Sequence, residues 1–291
     1  MISLYRLSQM NACVKIYPSA YVSIILPRLF TKSCVCKDFK MNIPRRFIGI
    51  VRLYGEEVYQ KFANSHVCVI GLGGVGSWVT EALVRSGVGH LTLIDLDHVA
   101  ESNINRQLGA LDSTLGQAKV EVLAKRLQDI NPAVKLCLIE DFVDERNYQT
   151  LFAPAFSCVI DAIDQLKIKV ILCHYFCQKG QPFVVCGAAG GKISARQVEV
   201  LDLSEVTHDR ILAKLRYQLR KKFAFPLTGA MGISCVCSKE NIQLPLGEHP
   251  DKIKTGLSCD GYGSSMVVTA AFAMQLVEVA LAMITSGSTS Y

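Results

Sequence analysis

The stretch His66-Val67-Cys68-Val69-Ile70-Gly71-Leu72-Gly73-Gly74-Val75-Gly76 decides the fold. A short, largely apolar run predicts a buried strand. Glycines follow at G-x-G-x-x-G spacing, and a helical pattern over 74–86 comes next. The first glycine permits a tight turn. The later ones let backbone N–H groups approach a phosphate at the positive end of the helix. Asp95 closes the next apolar run, 24 residues after Gly71, where an acid accepts hydrogen bonds from ribose hydroxyls. This spacing predicts a nucleotide site and leaves open which nucleotide; NAD is the default.

Outward from this unit, continuous apolar runs recur at 91–94, 134–139, 158–160 and 183–186. Such runs suit parallel strands buried on both faces. Helical patterns at 115–130 and 166–178 alternate with them, and Pro132 stops the first. A short helix is expected at 53–63. The fold class is therefore α/β, a doubly wound Rossmann-like, mostly parallel sheet. After Gly191 the pattern changes to an antiparallel strand at 193–200, a helix at 208–222 and an irregular stretch to 260. These are read as antiparallel C-terminal additions to the same sheet. No internal repeat is present.

The composition agrees. Of 291 residues, 50% are hydrophobic, 19% charged and nine are proline, which excludes a disordered or collagen-like chain. The formal charge of +6 is unevenly placed. Residues 1–40 hold six basic residues and one acid, whereas 41–291 hold 25 basic and 24 acidic residues. A basic, serine-containing segment without acid before Asp38 has the character of a mitochondrial transit peptide. The alternatives are a disordered extension or a cytoplasmic chain starting at Met41. The expected organisation is a leader at 1–44 and one nucleotide-binding domain at 45–291. The twelve cysteines include no C-x-x-C pair and sit mostly in apolar segments, as free thiols of a reducing compartment do. Residues 266–285 are long and apolar enough to cross a bilayer. Glu278 inside them favours a core helix over a membrane span, with peripheral membrane association as a further alternative.

Past Asp95 the chain reads Asp97-His98-Val99-Ala100-Glu101-Ser102-Asn103-Ile104-Asn105-Arg106-Gln107, and Lys119 follows at a helix start. Two cations behind the ribose acid exceed what a dinucleotide needs and suit a triphosphate. Asp161 and Asp164 close a later strand, where one or two carboxylates hold Mg²⁺ beside phosphate oxygens. Asp164 also precedes a helix, so N-capping is the alternative.

These motifs together (G-x-G-G-x-G, D-x-D-x-V, N-x-N-R-Q, Lys119 and D-A-I-D at 161–164) resemble the ThiF-type, ubiquitin-activating-like adenylating superfamily. R-F-x-x-x-x-R-L-Y-G at 46–55, G-A-A-G-G at 187–191, L-A-K-L-R at 212–216 and C-x-G-x-G at 259–263 look like its tRNA threonylcarbamoyladenosine dehydratase branch. The resemblance spans roughly 46–284. It implies ATP-dependent activation of the threonine carboxylate of N6-threonylcarbamoyladenosine next to the tRNA anticodon, then ring closure by the substrate's own nitrogen.

The resemblance also implies roles. Gly71, Gly73, Gly74 and Gly76 cradle phosphates, and Asp95 holds the ribose. Asp97, Asn103, Asn105 and Gln107 complete the ATP site. Arg106 and Lys119 neutralise phosphate charge, and Asp164 holds Mg²⁺. Arg52 matches an arginine inserted from the opposite subunit, which implies a homodimer. Cys235 matches a cysteine of a mobile loop, either a covalent acceptor or a packed thiol. Expected partners are tRNA bearing threonylcarbamoyladenosine and sulfur-relay accessory proteins. Within 210–222 six cations surround one apolar stripe, so this helix is a candidate for tRNA phosphates, with a solvated amphipathic helix as the alternative. The competing functions are activation of a ubiquitin-like or sulfur-carrier protein, and a NAD-binding or inactive module. The absent C-x-x-C pairs disfavour the first. Arg106, Lys119 and Asp164 together disfavour the second.

Overall fold

In the computed structural model, the structure describes residues 43–243 and 262–287. Residues 1–42 of the expected leader, and residues 259–261 of the C-x-G-x-G segment, lie outside the described residues.

Seven strands form one sheet in the order β3-β2-β1-β4-β5-β7-β6. They are β1 (His66–Ile70), β2 (His90–Ile94), β3 (Lys135–Ile139), β4 (Cys158–Asp161), β5 (Phe183–Cys186), β6 (Val198–Asp202) and β7 (Ser234–Ser238). All pairings are parallel except β6 with β7. The doubly wound sheet with an antiparallel C-terminal addition is thus the observed fold.

Strand residues alternate between two apolar layers, because successive side chains point to opposite faces. Val67 and Val69 join α3 (Gly76–Arg85), α4 (Lys119–Ile130) and α8 (Met266–Ser286) on one face. Cys68 and Ile70 join α6 (Leu166–Lys179) and α7 (Arg210–Phe223) on the other. α8 is 21 residues long and apolar enough to span a bilayer, yet it buries Val268, Phe272, Leu276, Val279 and Ala280 in the core.

Several expected elements differ. The helix expected at 53–63 is two helices, α1 (Ile48–Tyr54) and α2 (Glu56–Asn64), parted by Gly55 at φ +86°. The helix expected from 115 starts at Lys119, because Gly116 takes φ +78° and Ala118 is extended. A 3-10 turn at Ala195–Gln197 replaces the first half of the strand expected at 193–200. The stretch read as irregular contains β7, whose five residues are all buried. Burial on both faces removes the alternation by which a short strand is recognised. A short helix α5 (Tyr148–Leu151) lies between β3 and β4.

Candidate active site

β1 and β4 are neighbours, with β2 and β3 on one side and β5 on the other. The connections leaving β1 and β4 diverge, and ligands bind at the carboxyl ends of strands at such a switch point. A cavity of about 300 Å³ opens there.

The glycine loop forms its floor. Gly71 holds φ +85°, and a Cβ on it would lie 2.9 Å from the Ala162 carbonyl oxygen. A Cβ on Gly76 would lie 1.8 Å from the Gly71 oxygen. Gly76 therefore closes the turn and does not line the cavity, whereas Gly71, Gly73 and Gly74 do.

Asp95, at the end of β2, ties the loop to the next segment. Its Oδ2 accepts from the Leu72 N–H at 2.6 Å, and its Oδ1 from the Asp97 N–H at 2.8 Å. Lys119 Nζ lies 2.8 Å from Asp97 Oδ2 and 4.0 Å from Asp95 Oδ1. Burial pushes the Asp95 carboxyl up, and the Lys119 charge and the Leu72 N–H oppose it. The buried ammonium is held by two carboxylates at the cavity wall, where a polyphosphate competes for it.

Arg106 packs its Cδ against Gly74, 3.3 Å from where a Cβ would stand. Its Nη1 donates to the Ser102 carbonyl at 2.7 Å and to Asn105 Oδ1 at 3.0 Å, and its own carbonyl accepts from Trp78 Nε1 at 2.9 Å. Asp97, Asn103, Gln107 and Asp164 also line the cavity. Asn105 does not. It donates through Nδ2 to the Ser264 carbonyl at 2.8 Å and braces the entry to α8.

The D-A-I-D carboxylates separate. Asp161 is 1% exposed and pairs with fully buried Lys169 at 3.0 Å. Burial raises the Asp161 carboxyl. Burial alone would lower Lys169, but the Asp161 charge holds it above its usual value. Asp161 Oδ1 also accepts from the Ile163 N–H at 3.2 Å, so the pair is a strut for the loop carrying Asp164. Asp164 is exposed at the cavity and is not the cap of α6, a position taken by Gln165. Of the two carboxylates expected to serve a metal, Asp161 is committed to Lys169.

Two expected residues lie apart. Arg52 is exposed on α1, outside the cavity of its own chain. Cys235 is not in a loop. It sits in β7, paired with Val185 and Leu201, and is fully buried. Burial pushes its thiol far above the usual value, which suppresses the nucleophilic thiolate.

Sequence reasoning missed Asp141, Phe142 and Val143 after β3, and Thr269 on α8, all lining the cavity. The segment after β3 was findable, since it follows the carboxyl end of a parallel strand on the cavity side of the sheet. The wall at Gly187 and Ala188 is fixed by Asp209, which caps α7 and accepts from the Ala188 N–H at 2.7 Å.

Comparison with known proteins places this geometry. The ThiF family model matches residues 45–287. The tRNA threonylcarbamoyladenosine dehydratase of Escherichia coli K12 is 40% identical over 250 residues, covering 81% of this chain and 92% of that protein. The Haemophilus influenzae protein of the same name is 38% identical over 234 residues, covering 79% and 90%. The solved structure of the E. coli enzyme, TcdA, in complex with ATP superposes with a TM-score of 0.76 at 39% identity, covering 83% of this chain and 94% of that one. The chain therefore belongs to the ThiF family and, within it, to the tRNA threonylcarbamoyladenosine dehydratases.

Proposed function

We propose that this chain uses ATP to dehydrate N6-threonylcarbamoyladenosine in tRNA to its cyclic form. The observation that carries the reading is the convergence in one cavity of a glycine cradle, a ribose-type acid, two cations and an exposed carboxylate. The two cations match the β and γ oxygens of a triphosphate better than the two phosphates of a dinucleotide.

Backbone N–H groups of 71–76 and the start of α3 orient the polyphosphate. Asp95 receives the ribose hydroxyls, and Phe142, Val143 and Ile163 offer an apolar side for the base. A substrate carboxylate oxygen attacks the α-phosphorus and pyrophosphate leaves. Arg106 and Lys119 stabilise the charge that develops, the usual preorganised electrostatic contribution. The carbamoyl nitrogen then attacks the activated carbonyl, its N–H proton is released to solvent, and AMP leaves with the former carboxylate oxygen. An internal nucleophile gains from proximity and needs no thioester, in keeping with the buried Cys235.

Mg²⁺ fits this site as a phosphate-borne ion. No group of three or more acidic, His or Cys side chains gathers among the described residues. Asp164 would supply the single protein carboxylate that such an ion commonly takes. The ion would neutralise phosphate charge.

The working unit is a homodimer in which Arg52, exposed on α1, enters the partner's cavity. Residues 45–291 act as one adenylation domain, and 1–44 direct it to the mitochondrion. Deleting 1–40 and following location tests that address. Sulfur-relay accessory partners rest on the family resemblance alone. α8 buries Val268, Phe272, Leu276, Val279 and Ala280 in the core, which favours a core helix over membrane association, although Met266, Val267 and Met274 stay exposed.

The deciding experiment incubates the protein with ATP, Mg²⁺ and tRNA bearing threonylcarbamoyladenosine. A nucleoside lighter by one water, with AMP released, is expected. No mass loss, together with adenylation of a small carrier protein, would replace this reading with carrier activation.

A further inference from the structure

α7 begins at the cavity and carries its cations away from it. Ile211 lines the nucleotide cavity, and Arg210 beside it donates to the Tyr262 hydroxyl at 3.0 Å. Ile211, Leu212, Leu215 and Leu219 bury the inner side of the helix. The sequence from 210 to 238 contains six basic residues and no acid.

Five of the six cations divide by role, and Lys222 is exposed off the stripe that the other exposed cations form. Arg216 Nη1 donates to the Leu203 and Val206 carbonyls at 2.9 and 2.8 Å, and Arg220 Nε donates to the Pro226 carbonyl at 2.8 Å. These two hold the helix to its neighbours. Arg210, Lys214 and Lys221 are exposed, as is Tyr217 at 59%. Those four recur at i, i+4, i+7 and i+11, which is one face of a helix. Lys221 Nζ stands 5.7 Å from the centroid of the Tyr217 ring. At about 1.5 Å per residue the stripe runs roughly 16 Å from the cavity mouth. Past it, Phe223 stacks on His174 at 3.8 Å beside a second cavity of about 900 Å³ that Tyr175 and Lys179 also line.

We infer that the exposed Arg210, Lys214, Tyr217 and Lys221 stripe is the track along which the RNA backbone lies when a loop nucleotide reaches the mouth of the nucleotide cavity. The inference rests on the proposed tRNA substrate and adds how that substrate is held. Charge complementarity selects the occupant. A row of cations with no acid on the same helix attracts a polyanion, and an interleaved tyrosine gives an unstacked base a ring to lie on. The phosphate contacts position the RNA and read no sequence. A folded RNA, reaching along α7, uses the stripe. A short oligonucleotide confined to the cavity does not.

The test compares wild type with Lys214→Gln/Lys221→Gln, using full-length tRNA bearing threonylcarbamoyladenosine and a seven-nucleotide anticodon-loop RNA carrying the same nucleoside. Lys125→Gln/Lys135→Gln removes equal charge from α4 and β3. The stripe variant should bind full-length tRNA about ten-fold more weakly, with a salt slope reduced by about two, one unit per phosphate-binding lysine. Conversion of the short RNA and affinity for ATP should not change, and the control variant should behave as wild type. Equal losses in both variants would overturn the stripe in favour of a diffuse field, and so would an unchanged affinity for full-length tRNA. A wild type that converts neither RNA would overturn the functional reading itself, whereas conversion of both with no effect of the variant overturns the inference alone.

Discussion

Lys119 shows how one side chain serves both the wall of the cavity and the charge the cavity is built to take. Its ammonium neutralises exposed Asp97 and largely buried Asp95 at 2.8 and 4.0 Å, which allows three charges to share a wall. Lys119→Ala should lower ATP-dependent conversion at least about 100-fold, the usual scale for a preorganised charge. Circular dichroism should show an intact fold, and full activity would put the phosphate site elsewhere. Cys235 is the opposite case. Lying in a strand with a suppressed thiolate, it should resist alkylation until the protein unfolds. Cys235→Ala should keep measurable turnover and lose about 1–2 kcal/mol of stability. Abolished turnover with the fold intact would restore the thiol as a covalent nucleophile. Ten of the expected site residues line the cavity, and they were legible because they lie on the loops after β1, β2 and β4 or at the start of α4, where glycines, amides and charges suit a phosphorylated nucleotide. Asn105 was misjudged because neighbours in a tight turn point apart, and its amide reaches Ser264.

Elements carry their own consequences. The rings of His66 on β1 and His90 on β2 stack at 3.5 Å, and His66 Nε2 meets Thr92 Oγ1 at 2.8 Å. Burial, with His90 alongside, lowers His66 from its usual 6.5 to about 4. The unfolded chain takes up this proton near 6.5 and the folded chain only near 4. Stability from this pair is therefore whole above pH 6.5 and declines as pH falls toward 4. The melting temperature should fall across that window, and His66→Gln should flatten the dependence. An unchanged slope would assign the acid sensitivity to other groups. β7 and the break at Gly55 were hidden for related reasons. A five-residue strand buried on both faces has no alternation, and a glycine at positive φ ends a helix without changing the apolar pattern.

For the whole molecule, Arg52 poses a geometric question that one chain does not answer. If it completes the partner's site, Arg52→Ala and Lys119→Ala should each be inactive alone and complement each other when mixed. Random reassortment into mixed dimers leaves one intact site per heterodimer, or about a quarter of wild-type activity for a twofold assembly. No recovery after subunit exchange would place Arg52 outside the site. Charge is also a molecular property here. Six of the basic residues lie at 1–40, while the acid-free run from 210 to 238 supplies a local field within a nearly neutral remainder. A modest net charge thus conceals a directional one.

The linear sequence by itself determined the sheet class, the nucleotide loop and ten of the glycine, polar and charged residues that line the cavity. Glycine spacing, buried apolar runs and acids at strand ends are local patterns imposed by backbone geometry. Only the tertiary structure decided which equivalent-looking groups are spent internally. Asp161 is committed to Lys169, Arg216 and Arg220 to backbone carbonyls, Asn105 to Ser264 and Cys235 to the core. A charge or a thiol has the same chemistry in every sequence context. Its burial and its partners, which are settled by residues distant along the chain, decide whether that chemistry reaches a ligand.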